Sequence, residues 1–277
     1  MDSLTTLPDF ERFAEVRPGL FRCTLIWPIG GLEIPVATFL VRSNTNPHDW
    51  VLIDAGAPVH IDKLMVALAQ FLDHTNDTIK YIAVTHAHLD HTAAIPLLLG
   101  KYPECKVLFH AEEKPFMCHG HSFKTCSGDT WTFTLLKRFG HDSTVVVPED
   151  RSLTLRHGDP WEFDHILRLV ETPGHTPGSS SYLHVPTRSL MVGDALMHCI
   201  TSPMGQALPC ISGPLAMSTC HWGDAMKAID IILETKDDVD NVFPAHDFSK
   251  NGIPIQNIHD FHHPSSSKGG VLSWFGL

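Results

Sequence analysis

The chain is built of short apolar runs separated by polar loops, and the spacing within the runs changes from one to the next. Leu20 to Trp27 and Glu33 to Val41 are rich in Ile, Val, Leu, Phe and Thr. With Pro28-Ile29-Gly30-Gly31 between them they predict two strands and a turn. Trp50-Val51-Leu52-Ile53 reads as a short buried strand that stops at Asp54-Ala55-Gly56-Ala57-Pro58. Helical spacing follows: Ile61, Leu64, Met65, Leu68, Phe71 and Leu72 fall on one face. A strand at Tyr81 to Thr85, a helix through Ile95 to Leu99 ending near Gly100, and a strand from Cys105 to Phe109 complete the first half. The alternation predicts a sheet with helices packed on it.

From Ala111 to about Val147 the pattern breaks. Phe116, Met117, Phe123, Trp131, Phe133, Leu135, Leu136 and Phe139 lie among polar residues without a clean period. The stretch reads as an insertion over the sheet edge, either a functional lid or an extra packing layer. Beyond it, Ser152 to Leu155, Trp161 to Phe163 and Ile166 to Val170 predict strands. Ser180 to Val185 and Ser189 to Val192 predict a hairpin closed by Pro186-Thr187-Arg188. A helix is expected from about Thr219 to Leu233, with Trp222, Ala225, Met226, Ile229 and Ile232 inward, and Asn241-Val242-Phe243 is a last short strand. With no repeat and no domain linker, residues 1–277 are expected to form one domain, with the insertion at 111–147 and a linker-like then apolar tail at 264–277.

Composition narrows the function. The net charge of −11, from 31 acids and 20 bases, argues against a nucleic-acid surface or an anionic membrane as partner. No stretch approaches the roughly 20 apolar residues of a spanning helix, and the N-terminus lacks the basic and apolar regions of a signal peptide. Cys23, Cys105, Cys118, Cys126, Cys199, Cys210 and Cys220 are odd in number and show no paired spacing. They read as free thiols in a reducing cytosol, so a cytoplasmic location is expected. Histidine is the outlier: 20 residues, as many as Lys and Arg together, which favours metal chemistry.

The candidate chemistry centres on His86-Ala87-His88-Leu89-Asp90-His91, where four of six residues can ligate a metal. The same arrangement, an apolar strand followed by Asp or His in a Gly- or Pro-containing loop, recurs at Asp54, at Pro173-Gly174-His175-Thr176-Pro177-Gly178, at Gly193-Asp194-Ala195 and at Pro244-Ala245-His246-Asp247. Strand-end loops are where a rigid sheet can aim side chains at one point. Imidazole and carboxylate are the ligands a zinc-type ion takes, and two such ions can polarise a carbonyl and generate hydroxide at neutral pH. Cys118-His119-Gly120-His121 with Cys126 fits no familiar structural zinc spacing, and its histidines could instead line a pocket. His259, His262 and His263 read as surface residues.

These residues resemble the metallo-β-lactamase superfamily. The His-x-His-x-Asp-His signature is present as His86, His88, Asp90 and His91; the later single His matches His175, the bridging Asp matches Asp194, the final His matches His246 and the early Asp matches Asp54. The resemblance covers Leu52 to Asp247 and implies an α/β fold, the four-layer αβ/βα sandwich with metals at the sheet edge. It implies that His86, His88 and His175 hold one divalent ion, that Asp90, His91 and His246 hold a second, and that Asp194 bridges them. Asp54 would orient a ligand histidine. Zinc is the first choice of metal, with Mn2+ or Fe2+ as alternatives. A metal-bridging hydroxide would be the nucleophile, with Asp90 as proton acceptor.

Several reactions are run by proteins resembling this one. His88 stands where flavin-linked di-iron members typically carry Glu, which favours hydrolysis over electron transfer. A full second ligand set lowers, without removing, a mononuclear-iron sulfur dioxygenase. The expectation is a hydrolase that opens a lactone, lactam or related ester of a small apolar or aromatic molecule, in keeping with the aromatic insertion. An acyl-thioester hydrolase of glyoxalase-II or polyketide type is second. Met197 occupies the position, three residues past Asp194, where many acyl-homoserine-lactone hydrolases carry Tyr, and after Pro244 only Lys250 and Lys268 are available for a glutathione-like anion. A small-molecule substrate and no macromolecular partner are expected, and a homodimer is left open.

Overall fold

The computed structural model describes residues 9–29, 32–123, 144–198, 200–201, 207–208, 210–247, 249 and 251–262. The first sheet runs in chain order: β1 (Ala14–Arg17), β2 (Leu20–Ile29), β3 (Leu32–Arg42), β4 (Asp49–Ile53), β5 (Thr78–Ala83), β6 (Lys106–His110) and β7 (Ser152–Leu155). β1 to β4 pair antiparallel and β4 to β7 parallel. Parallel neighbours need a crossover; α1 (Ile61–Phe71) supplies it between β4 and β5, and α2 (Leu89–Thr92) with α3 (Ile95–Lys101) between β5 and β6. A short α4 (Lys114–Met117) follows β6. The second sheet contains β8 (Leu167–Glu171), β9 (Ser180–His184), β10 (Ser189–Gly193), β13 (Asn241–Pro244) and β14 (Ile253–Pro254), in the order β14-β13-β10-β9-β8. α5 (Trp222–Glu234) and α6 (Ile255–His262) accompany it. β11 (Ile200–Thr201) and β12 (Ala207–Leu208) form a separate ribbon.

Alternation within single strands builds the layers, because successive side chains leave a strand on opposite faces. Leu40, Leu52, Ile82, Val107 and Phe109 pack with Leu64 and Leu68 of α1 and with Ile95 and Leu98 of α3. Their neighbours Phe39, Val41, Val51, Ile53, Ala83 and Leu108 face the other way and meet Leu167, Leu169, Tyr182, Met191 and Phe243 of the second sheet. On that sheet's far face, Val170, Leu183, Leu190, Val192 and Val242 pack against Ile229 and Ile232 of α5 and Ile258 of α6. These three apolar interfaces separate four layers: helix, sheet, sheet, helix. Strands buried on both faces read as near-continuous apolar runs, and that is why they were legible. The two sheets are stitched together at the loops that follow β5 and β13: Tyr182 donates its hydroxyl to Val84 O at 3.0 Å, Ser180 N to Thr85 O at 2.9 Å, and Ala37 N to Ala245 O at 2.9 Å.

Trp161 to Phe163 is a turn rather than the expected strand. Trp161 Nε1 donates to Leu167 O at 3.1 Å, and both aromatic rings pack on Tyr81, so a buried aromatic turn carries the apolar signature of a strand. β1, β14 and α6 lie outside the expected elements. They carry weak apolar patterns; in α6 only Ile258 is buried. The described part of the expected insertion joins the core: Phe116, Met117, Phe123 and Val147 are buried with Val84, Ala87 and Phe109. Trp131, Phe133, Leu135, Leu136 and Phe139, and the tail at 264–277, lie outside the described residues. Cys220 is disulfide-bonded, which corrects the expectation that every cysteine is a free thiol; Cys23, Cys105, Cys118 and Cys210 are free. No helix among the described residues is long and apolar enough to cross a membrane.

Candidate metal centre

Strand ends from both sheets deliver the candidate side chains to one place. β4 ends at Ile53, and Asp54 takes a left-handed conformation (φ 58°) that Asp tolerates better than most residues. β5 is followed by the segment carrying His86, His88, Asp90 and His91; β8 and β9 flank the loop of His175; β10 leads to Asp194 and β13 to His246. The turn before Asp194 needs glycine. Gly193 has φ 52°, and a Cβ there would lie 2.6 Å from Thr85 Oγ1.

Two groups of potential ligand atoms result: His86, His88 and His175, and Asp90, His91, Asp194 and His246. In the first, His88 Nδ1 lies 3.0 Å from His86 Nε2 and 3.0 Å from His175 Nε2. In the second, Asp194 Oδ1 is 3.3 Å from His91 Nε2, and Asp90 Oδ2 is 3.5 Å from both His91 Nε2 and His246 Nε2. The other Asp194 oxygen, Oδ2, lies 3.3 Å from His246 Nε2 and 3.5 Å from His175 Nε2, so this carboxylate touches both groups.

Partners behind the rings fix their orientation. Thr85 donates its hydroxyl to Asp54 Oδ2 at 2.8 Å, leaving an oxygen lone pair for His86 Nδ1–H at 3.1 Å. Thr219 donates to Leu215 O at 2.8 Å and faces His175 Nδ1 at 3.1 Å in the same way. His91 Nδ1 donates to Asp54 Oδ2 at 2.8 Å, and His246 Nδ1 to Pro35 O at 2.7 Å. With Nδ1–H used outward, each of these four rings presents Nε2 to the centre, as metal-ligating histidines do.

The residues fit divalent ions. A tetrahedral ion with bonds of about 2.0–2.1 Å sets its ligand atoms about 3.3 Å apart, close to the spacings here. His91 Nε2 and Asp194 Oδ1 are buried and make no hydrogen bond, a cost that a cation between them removes. Charge divides the two groups. Burial, reinforced by neighbouring imidazoles, lowers His86 well below its ordinary value. Burial and His175 lower His88 to about 3, and burial outweighs Asp194 to leave His175 at about 4. These are the neutral rings a metal requires. In the second group burial pushes His246 down, but Asp194 and Asp90 more than reverse it, to about 10. His91 is likewise raised well above its ordinary value by Asp90, Asp194 and Asp54 against burial. Asp90 and Asp194 are held well below theirs by the facing imidazoles despite burial.

Sequence reasoning missed a layer of supports. Glu113, fully buried, bonds the loops of His86, His88 and His175; it lies just past β6, but a pattern built on Asp and His passes over a Glu. Asp247 accepts from His198 Nδ1 at 2.7 Å and lies 3.4 Å from the buried Arg22, which is 2.6 Å from Asp9. Residues so far apart in the chain leave no local signal. Phe123 packs on the His88 ring (4.6 Å between centroids) and stacks on Phe116 at 4.3 Å. Away from the centre, His119 bonds Glu149 at 3.0 Å, His121 is exposed, and His262 bonds Asp230 at 2.9 Å. Among the described residues the Cys118 to His121 stretch forms no ligand cluster; Cys126 and His263 lie outside them.

Residues 32–246 match the sequence model of the metallo-beta-lactamase superfamily. The chain belongs to that superfamily. Among curated relatives, the probable metallo-hydrolase YflN of Bacillus subtilis is 28% identical over 190 residues, 65% of this chain and 68% of that one. A hydroxyacylglutathione hydrolase of Actinobacillus pleuropneumoniae is 30% identical over 131 residues, 47% of this chain and 41% of that one, so less than half of that enzyme is spanned. Among solved structures, the DIM-1 metallo-beta-lactamase aligns with a TM-score of 0.60 at 14% identity, covering 90% of this chain and 93% of that one. The superfamily protein ST1585 of Sulfolobus tokodaii aligns with a TM-score of 0.56 at 18% identity, covering 91% and 92%. At such identities the structures establish the metallo-beta-lactamase fold alone, and the superfamily match supports a metal-dependent hydrolase.

Proposed function

We propose that the protein hydrolyses a lactone, lactam or related ester bond of a small apolar or aromatic molecule at a two-metal centre. The observation that carries this reading is the Asp194 carboxylate, within 3.3–3.5 Å of His91, His246 and His175 and so shared between both ligand groups. His86, His88 and His175 would hold one ion and Asp90, His91 and His246 the other, with Asp194 within reach of both groups. Two divalent ions, zinc first and Mn2+ or Fe2+ as alternatives, would supply a water acidified to near-neutral pKa and a Lewis acid for the carbonyl. The chain's own groups do the rest. Asp90, ionised and 3.5 Å from His91 and His246, accepts a proton during attack. Asp54 holds His91 in its ligand tautomer, and Thr219 does the same for His175. Phe123 packs on the His88 ring and stacks on Phe116, so aromatic side chains stand next to the first group, in keeping with an apolar or aromatic substrate.

A second reading, thioester hydrolysis, draws on the match to a hydroxyacylglutathione hydrolase. A panel of aryl esters, γ-lactones, cyclic carbamates and acyl thioesters, run beside metal analysis, separates the two. Ring opening with about two equivalents of metal is the expected result. Turnover of thioesters alone would shift the substrate class. A single iron with sulfite formed from a persulfide would replace hydrolysis by sulfur dioxygenation.

A further inference from the structure

One carboxylate behind the centre holds two ligand loops at once. Glu113 is fully buried in the short turn that follows β6 and makes no ion pair among the described residues. Its Oε2 accepts from the backbone N–H of Ala87, the residue between His86 and His88, at 2.8 Å. Its Oε1 accepts from Gly178 N–H at 2.7 Å and from the Thr176 hydroxyl at 2.8 Å, both in the loop that begins at His175. The approach is close enough to demand glycine: a Cβ on Gly178 would lie 2.8 Å from Glu113 N and Cγ. Both carboxylate oxygens are engaged by N–H donors, and among the described residues none of this side chain's hydrogen bonds reaches the Asp90, His91, Asp194 or His246 group.

We infer that Glu113 is a positioning residue for the His86, His88 and His175 group, clamping the first-sheet loop that carries two of these ligands to the second-sheet loop that carries the third. This rests on the two-metal reading above. A hydrogen bond at Ala87 fixes the peptide between two ligands, so a small rotation there moves both rings. The bonds at Thr176 and Gly178 set the third ring relative to them. Removing such outer partners characteristically weakens metal affinity by about 10–100-fold. Here the loss falls on one ion and spares the other.

The test is Co2+ titration of the metal-free protein, followed by its d–d absorption and checked by chelator competition with Zn2+. A three-imidazole site and a carboxylate-rich site give different spectra. Glu113→Gln keeps the volume and one acceptor but sets an amide NH2 against one of the N–H donors. The expected result is one equivalent weakened about 10–100-fold with the other within about twofold. Thr176→Val removes one donor to Glu113, together with the hydroxyl contact to Ser179 at 2.8 Å, while leaving Glu113 in place, and a several-fold loss at the same equivalent is expected. It serves as the measurement if the Gln variant does not fold. Glu112→Gln, on the exposed neighbour bound to Arg156, should change neither. Unchanged affinities in Glu113→Gln and Thr176→Val overturn the inference, and so does an equal loss at both equivalents, which a merely structural role would produce. A wild-type chain that binds one equivalent sinks the two-metal reading instead; Glu113 then stands if Glu113→Gln and Thr176→Val weaken that equivalent while Glu112→Gln does not, and falls otherwise.

Discussion

The two halves of the centre are built on opposite electrostatic plans. His86, His88 and His175 are neutral imidazoles kept from protonation by burial and by one another. His91 and His246 face two carboxylates, which raise both above the ordinary imidazole value. The first group therefore waits for a metal in its ligand form, whereas the second must release protons to take one. An ion at either group would thus meet different proton competition, although Asp194 touches both groups.

The comparison can be broken most decisively at the shared residue. Asp194→Ala should bring hydrolysis of every substrate below detection and cut bound metal from two equivalents to one or none. Two equivalents retained, measured by metal analysis, would remove Asp194 from its linking role. Acidity comes next. With His246 at about 10, each proton displaced costs the second ion about tenfold in affinity per pH unit below that value. The first group, with His88 at about 3 and His175 at about 4, should hold its affinity until the pH approaches 4. Metal occupancy followed from pH 9 to pH 5 should show one equivalent lost before the other, and parallel loss would erase the distinction.

Stability of the metal-free chain should show the same opposition. His246, raised from 6.5 to about 10, contributes stability that is fully present below about pH 6.5 and is lost as the pH rises toward 10. His88 and His175, lowered from 6.5 to about 3 and about 4, act oppositely. The unfolded chain takes up their protons first, so they destabilise the fold as the pH falls from 6.5 toward 4. Denaturant midpoints across pH test both slopes.

Smaller effects sharpen the picture. Asp54→Asn should weaken the second ion by about 10–100-fold through His91, which it bonds directly, with a smaller loss at the first through Thr85 and His86. Thr219→Val should weaken the first ion by about tenfold through His175, and Thr219→Ser should restore it. If either variant moved the ion of the other group instead, the division of supports would be wrong.

How much of this was legible in the sequence depended on range. The candidate ligands were readable because they lie in loops that follow apolar strands, and strand ends are local facts: His86 past β5, Asp194 past β10, His246 past β13. The sandwich was readable because strands buried on two faces announce themselves. Trp161 to Phe163 misled because aromatic burial in a turn imitates a strand. Glu113 was hidden inside a stretch read as an insertion. The Arg22, Asp9, Asp247 and His198 network could not be seen, since its members meet only after both sheets have formed. Local pattern points to the candidate ligands and to Asp54, and tertiary structure alone brings Glu113 and Asp247 behind them.

The stitching of the sheets beside the ligand loops has a thermodynamic consequence. Each ligand group draws on both sheets: His86 and His88 with His175, Asp90 and His91 with Asp194 and His246. An ion seated in either group is then a cross-link between the two halves of the sandwich, and unfolding must break it. Its binding energy becomes folding energy, about 2.7 kcal/mol for free metal at 100 times its Kd. The melting temperature of this protein should thus track the free concentration of its metal, so that a chelator loosens the same seam that Tyr182 and Ser180 hold shut.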